Sequence, residues 1–332
     1  MKILVTGATG FIGSHVTRAL VEAGGQVRIL RRRNSPLELI EGLEVDDAIG
    51  DILDPASLPT AFQGIEGVVH CAAQMRGSGG PAPRLASHER GTRNTLSAAT
   101  ATSVRRYVYI SSVAALGIPE QSPAEDDHAV RPMDETHSWR GPASAWPYGF
   151  AKHQAEQSVA RASRDGLGAL TVNPALVIGP GDRNRVSNIL IWHILNGRVP
   201  PMVAGGLNVV AVEDVAAGVT AALARGRAGE RYILGGQNRT LADLIQTTAR
   251  LLGKRPPRWR LPLGATRAVA RVAAGAVERL RLPVAPELLR QAGIYFYYTT
   301  EKAQQELGLA PPRPYEAAAE SSAAWYRHHP VR

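Results

Sequence analysis

Short β-branched runs alternate with longer stretches of helical periodicity through the first half of the chain. Apolar runs at 2–6, 26–30, 45–50, 67–71, 107–111 and 169–173 predict strands, and amphipathic stretches at about 12–24, 55–63, 85–102 and 147–164 predict the helices between them. Strand and helix in strict alternation make βαβ units and a parallel sheet. Right-handed crossovers then place helices on both faces, so the expected fold is a doubly wound α/β sheet of Rossmann type. Its ligand crevice lies at the carboxyl ends of the strands. After Pro174 the pattern loosens into Gly-rich turns at 179–181, 205–206 and 235–236 and Pro-rich turns at 200–201, 256–257 and 311–314. Helical patterns at about 241–252, 263–281 and 315–328 predict a smaller, mixed but largely helical second lobe.

Composition narrows this picture. At 332 residues, 44% hydrophobic and 20% charged, the chain has the material for a sizeable core. Its one cysteine, Cys71, can form no internal disulfide. Met1-Lys2 leads into the short run Ile3-Leu4-Val5, broken at Thr6-Gly7 before a signal-peptide core could form, and no run of 18 apolar residues exists. A cytoplasmic location is the expectation. The formal charge is +9, and only Lys2, Lys152, Lys254 and Lys302 are lysines. Residues 250–281 hold nine cations against Glu278, a block that could meet a nucleic acid or an anionic membrane. Trp259 is the only aromatic residue within it, too few for base stacking, so no nucleic-acid partner is expected and a solvated face is the plainer reading. The helix near 263–282 offers a bilayer mostly alanine and valine, with little insertion energy, so membrane contact is not expected either.

The first strand runs straight into Thr6-Gly7-Ala8-Thr9-Gly10-Phe11-Ile12-Gly13, where the periodicity changes from strand to helix. Gly7 permits the tight turn, Gly10 lets backbone approach a pyrophosphate and Gly13 allows close packing of helix on strand, while the helix N-terminus favours the anion. The expected division is therefore a dinucleotide-binding domain at 1–173, with returning segments near 206–236, and a substrate lobe at 174–332. A site preferring NAD carries Asp or Glu at the end of the second strand to hold the ribose hydroxyls. Here that place reads Arg31-Arg32-Arg33. A guanidinium can grip a 2′-phosphate, so NADP(H) is the favoured cofactor, with Arg31 and Arg32 as its contacts. The alternative is that these arginines merely project into water, which leaves NAD(H) open. Asp51-Ile52 and Ala72-Ala73 end the third and fourth strands, where adenine and ribose would lie.

Tyr148 and Lys152 stand four apart just after Pro147, which favours a helix start, so both side chains leave one helical face. An ammonium near a phenol stabilises the phenolate and lowers its pKa. Tyr148 could then pass a proton to or from a substrate oxygen while hydride moves at the adjacent carbon. Ser112, at the end of the fifth strand, would hydrogen-bond the same oxygen.

The chain resembles the extended short-chain dehydrogenases/reductases of the NAD-dependent epimerase/dehydratase type. The likeness rests on Thr6–Gly13, Gly50-Asp51, His70-Cys71-Ala72-Ala73, Gly91-Thr92-Arg93-Asn94, Ser111-Ser112, Tyr148-Gly149-Phe150-Ala151-Lys152, Asn173-Pro174 with Gly179-Pro180-Gly181, and Val212–Ala216. Gly229–Gly236 and Leu307-Gly308 bring it near the dihydroflavonol-reductase-like proteins and the hopanoid-associated sugar epimerase group. The resemblance implies that Ser112, Tyr148 and Lys152 are the catalytic triad. It implies further that Lys152 also binds the nicotinamide ribose, that Pro174 and Val177 lie beside the nicotinamide, and that a homodimer forms through the helices at about 85–102 and 147–164. Departures fall on the substrate side: His88 stands where an asparagine is common, Ile178 replaces a frequent tyrosine and Ala211 a frequent histidine. His88 either substitutes for the amide or packs.

Three functions fit. The leading one is NADP(H)-dependent reduction of a ketone or aldehyde, a small-molecule carbonyl or alcohol being the substrate and no metal being called for. A sugar epimerase or dehydratase with bound NAD(P) is the second; against it, the stretch Gly206–Ala211 has no arginine for a substrate diphosphate, and Asn173, which such enzymes use, can equally cap a strand end. A non-catalytic dinucleotide sensor is the third, disfavoured by an intact Tyr148 and Lys152. The run Tyr295-Phe296-Tyr297-Tyr298, with Trp139 and Trp146, points either to an aromatic-walled pocket or to ordinary core.

Overall fold

The computed structural model describes residues 1–73, 81–120, 130–280 and 291–329. Seven strands form one parallel sheet: β1 (Lys2–Thr6), β2 (Gln26–Arg31), β3 (Asp46–Ile49), β4 (Gly67–His70), β5 (Arg106–Ile110), β6 (Ala169–Pro174) and β9 (Arg231–Leu234). Their order is β3-β2-β1-β4-β5-β6-β9, every pair parallel. The chain reverses its direction of growth between β1 and β4, so the crevice opens above the carboxyl ends of these two strands.

Strand alternation sends successive side chains into two cores. Ile3, Val5, Val27, Ile29 and Val108 face α1 (Phe11–Glu22) and α6 (Val212–Arg225), which contribute Val16, Leu20, Val215 and Val219. Leu4, Leu30, Val68, Tyr107 and Tyr109 face the other layer, where α2 (Pro59–Phe62), α3 (Pro81–Thr100) and α4 (Pro147–Arg164) supply Phe62, Leu96, Ala155 and Val159. Burial on both sides is why these strands read as continuous apolar runs.

The second lobe is mixed and largely helical, as its periodicity predicts, and it carries strands that the periodicity does not mark. It contains a second, four-stranded sheet in which β8 (Gly206–Ala211) pairs with β7 (Leu176–Ile178), β10 (Gln237–Thr240) and β11 (Tyr295–Phe296). β10 is antiparallel to β8 and the other two are parallel to it. Strands of two to six residues carry too little alternation to stand out in a sequence. Around this sheet lie α5 (Ile189–Leu195), α7 (Leu241–Leu251), α8 (Leu263–Leu280), α9 (Glu301–Leu307) and α10 (Tyr315–His328). Of the helix expected at 263–281, Leu263–Leu280 is helical and Arg281 lies outside the described residues. Of the 206–236 segment, β8 belongs to the small sheet, while α6 packs beside α1 and β9 joins the large sheet at β6. Among the described residues no helix is long and apolar enough to cross a membrane.

Two glycines give opposite expectations. A Cβ on Gly13 would run into the Gly7 carbonyl, with the Ala8 backbone next to it. Gly13→Ala therefore forces α1 off the turn and should cost about 2–4 kcal/mol, read as a lowered denaturant midpoint. Gly275 sits exposed within α8, and a methyl group added there would meet nothing within 4 Å. Gly275→Ala should stabilise by about 0.5–1 kcal/mol in the same titration.

Candidate active site

The glycine-rich turn adopts the geometry its sequence requires. Gly7 has φ +72°, and a Cβ there would lie 2.7 Å from the Ala72 nitrogen, so β1 and the end of β4 touch through bare backbone. The Gly10 N–H donates to the Gly7 carbonyl at 3.0 Å, and Gly10 begins α1 with no side-chain cap and no acid in the first turn. The leading N–H groups of α1 therefore lack intrahelical partners, and the exposed Gly10 leaves the approach to them open. Thr9, Phe11 and Ile12 complete this cradle, which fits a pyrophosphate by shape and by charge.

The next layer ties β1, β4 and α3 together. His70 is fully buried; its Nδ1 lies 2.7 Å from Thr6 Oγ1 and its Nε2 3.2 Å from Thr92 Oγ1. Thr6 Oγ1 also accepts the Ala72 N–H at 3.2 Å, which fixes the Ala72-Ala73 backbone. Asn94 Nδ2 donates to the Ile52 carbonyl at 2.8 Å, and Gly91 is the place where the Ile52 side chain rests, a Cβ there falling 2.6 Å from Ile52 Cδ1. Gly91, Thr92 and Asn94 thus each serve one contact on the cofactor side. Asp51 is partly engaged, its Oδ1 accepting the Leu53 N–H at 2.9 Å.

Arg31 is not free. Its Nε donates to Asp47 Oδ2 at 3.0 Å, its Nη2 pairs with the same oxygen, and its Nη1 reaches the Arg33 carbonyl at 3.2 Å. Without a ligand, Arg31's fork is taken by Asp47, one strand over on β3. Arg32 is exposed, and its side chain makes no hydrogen bond or ion pair to another described residue. A cavity of about 450 Å³ lies beside β2, lined by Ile29, Leu37, Ile40 and Leu43 with Arg31 and Asp47 at its polar side. Asp51 and Ile52 do not line it.

On the far side of the crevice, Ser112 lies two residues past β5 and caps the short 3₁₀ turn Val113–Leu116, its Oγ accepting the Ala114 N–H at 3.2 Å. Helix α4 begins at Pro147 and leans on that turn through Gly149, where a Cβ would meet the Ala114 oxygen at 2.4 Å. This contact brings Tyr148 to Ser112. Burial raises the Tyr148 phenol above its ordinary pKa and the Ser112 hydroxyl partly offsets it. The Lys152 Nζ donates to the Ile110 carbonyl at 3.0 Å and lies 5.0 Å from the centre of the Tyr109 ring. Burial lowers Lys152 to about 8, against an opposing pull from Glu156. His88 packs edge-on to Tyr148 with ring centres 6.0 Å apart, so the residue that replaces the usual amide stands against the phenol.

Asn173 is fully buried, and its Nδ2 donates to the Ser112 carbonyl at 2.9 Å and to Glu156 Oε1 at 2.6 Å. Pro174 follows it, buried, at the end of β6. Val177 is buried in the main core cluster and pairs with Val210 of β8. Ile178 and Ala211 are core as well, both in the small-sheet cluster. The aromatic run is buried throughout, and one member reaches the site, Phe296 packing on Trp146 at 5.3 Å, next to Pro147 and Tyr148. Trp139 instead packs on Phe150 and His153 along α4. Two contributors were not foreseen, the Thr6–His70–Thr92 chain and Glu156. Glu156 had a signal, four residues past Lys152 on the same helical stripe.

His70 and His88 are both pushed down to about 3, first by burial and then by the Lys152 charge. Each is neutral when folded and takes a proton below about 6.5 when unfolded, so stability is full above that pH and falls as pH drops towards 3. The expected loss is about 1.4 kcal/mol per pH unit for each histidine, and ¹H–¹⁵N spectra of the imidazoles should show two rings that do not titrate between pH 5 and 8.

Known proteins share this arrangement of turn, sheet and crevice. The profile of the NAD dependent epimerase/dehydratase family matches residues 3–235. A Synechocystis protein whose name assigns it provisionally as a dihydroflavonol 4-reductase is 33% identical over 98% of this chain and 94% of its own length. The sterol demethylase protein B of Methylococcus capsulatus is 31% identical over 98% of both chains. The crystal structure of gox2253 superposes with a TM-score of 0.85 at 35% identity, covering 99% of this chain and 98% of that one. The protein belongs to the NAD dependent epimerase/dehydratase family and is an NAD(P)-dependent enzyme of the extended short-chain dehydrogenase/reductase type.

Proposed function

We propose that this enzyme reduces a ketone or aldehyde on a small apolar substrate with NADP(H), Tyr148 giving the proton. When bound, the nicotinamide supplies or accepts a hydride. The chain's own groups do the rest. Gly7, Thr9, Gly10, Phe11, Ile12 and Gly13 would hold the pyrophosphate, Arg32 the 2′-phosphate, and Asp51, Ile52, Ala72 and Ala73 the adenosine end. Lys152 would hold the nicotinamide ribose, with Pro174 and the Val177 backbone shaping the pocket. Ser112 orients the substrate oxygen and Tyr148, which burial keeps as the protonated phenol, gives it the proton. On this reading residues 1–173 with α6 and β9 form the dinucleotide domain and the remainder of 174–332 the substrate lobe.

The observation that carries the choice of a reductase is the state of Asn173. Its Nδ2 is spent on the Ser112 carbonyl and Glu156 Oε1, which takes that donor away from a sugar hydroxyl. The wall beside Tyr148 is the apolar pair Trp146 and Phe296, and β8, where a diphosphate-binding arginine would stand, is buried and uncharged. These features favour an apolar carbonyl over a nucleotide sugar.

The first experiment is to denature freshly purified protein, identify any released dinucleotide, and titrate the stripped protein with NADPH and NADH. Little retained cofactor and tighter NADPH binding are expected, with Arg32→Ser losing roughly tenfold or more in NADPH affinity and little for NADH. Stoichiometric tightly held NAD would favour the epimerase cycle instead, since a closed redox cycle never releases its cofactor. Tyr148→Phe should lower carbonyl-dependent NADPH oxidation by about 10²–10⁴-fold while leaving NADPH affinity unchanged; unaltered turnover would remove Tyr148 as the proton donor.

A further inference from the structure

Among the described residues, Lys152 is the buried cation at the head of the crevice, with 5% of its surface exposed. A buried ammonium needs a counter-charge or it gives up its proton. The groups around it are few. His70 and Cys71 face it from the end of β4, His88 from α3, Tyr109 from β5 and Glu156 from its own helix. Both histidines are neutral, burial pushes the Cys71 thiol up to about 12, and the Tyr109 phenol is raised well above its ordinary value by burial first and Glu156 second. Of this set only Glu156 can be an anion at neutral pH.

Glu156 is built in rather than loosely placed. It is 7% exposed, one turn beyond Lys152 on α4, and its Oε1 accepts the Asn173 Nδ2 hydrogen bond at 2.6 Å. Arg231 of β9 approaches its Oε2 to 3.8 Å from the other side. Burial raises its carboxyl, while Ser111, Arg231, Asn173 and Lys152 all pull the other way. Behind it a cavity of about 100 Å³, lined by Glu156, Thr171, Glu230 and Arg231 among others, gives the carboxylate a polar back wall. The same Asn173 amide also donates to the Ser112 carbonyl, so the network reaches the residue whose side chain hydrogen-bonds Tyr148.

We propose that Glu156 is a positioning residue of the site: it is the fixed negative charge that keeps the buried Lys152 an ammonium, and through Asn173 it holds the Ser112 backbone in place. The link to turnover rests on the reading of Ser112, Tyr148 and Lys152 given above; the charge coupling does not.

The chain has four lysines, so the protein grown on ¹³Cε-lysine gives four signals, with Lys152 assigned by its loss in Lys152→Met. In the full-length protein without added cofactor, the Lys152 signal should titrate near 8. Glu156→Gln keeps an acceptor for Asn173 and removes the charge; it should lower that midpoint by about one pH unit or more, roughly tenfold in proton affinity, while Glu156→Asp keeps most of it. An unchanged midpoint in folded Glu156→Gln overturns the proposal, because a merely structural carboxylate would alter stability and leave Lys152 alone. Should Glu156→Gln not fold, the unaltered protein decides: its Lys152 signal should move a second time at acid pH as Glu156 takes its proton, and a single inflection overturns the proposal. Unaltered turnover in Tyr148→Phe, by contrast, would remove the catalytic reading and leave this titration as it stands.

Discussion

The structure depends on one close approach, the backbone of α1 lying directly on the backbone of the turn that leaves β1. Nothing larger than a hydrogen fits at Gly13 against the Gly7 carbonyl, and nothing larger fits at Gly7 against the end of β4. That contact fixes where the unpaired N–H groups of α1 point, and it aligns β1 with β4 at the place where the sheet changes its direction of growth. The crevice, its anion-binding edge and the ends of β4 and β5 are then all consequences of one turn. The Thr6–His70–Thr92 chain locks the arrangement from the side, with buried polar atoms that are satisfied only in this register.

Charge in the crevice is governed by solvation. Burial disfavours every ionised group there, and the histidines and the cysteine respond by staying neutral. Lys152 keeps a charge because a carbonyl, an aromatic face and an acid surround it. Tyr148, with no such support, is held protonated by burial. A cation set among mostly neutral groups concentrates the local field on whatever anionic or polar ligand enters, since low dielectric strengthens the interaction that remains.

The second lobe tunes rather than creates the site. Its small sheet carries β11 against β8, and the burial of that pairing places Phe296 on Trp146 at the head of α4. The rest of the aromatic run serves packing, Tyr297 covering Gly206 and the Tyr298 carbonyl accepting from Asn238 at 3.0 Å. One aromatic contact out of a run of four thus sets an apolar pair at the start of α4.

The sequence by itself determined the strands and helices of the large sheet, the glycine turn, and the Tyr148–Lys152 stripe, because each depends on local periodicity or on residues a few positions apart. β1 runs over the residues expected of it, and α4 begins at Pro147 as the spacing required. What only the tertiary structure decided is where long side chains direct their donors. Arg31 turned to Asp47 on the neighbouring strand, Asn173 to Ser112 and Glu156, and Lys152 to Ile110. These pairings join residues 16 to 61 positions apart. They are set by which strands lie side by side, and hydrophobic periodicity carries no record of that order. The small sheet was hidden for the same reason: its strands are too short to show alternation, and only the burial of β8 between its partners makes them strands at all.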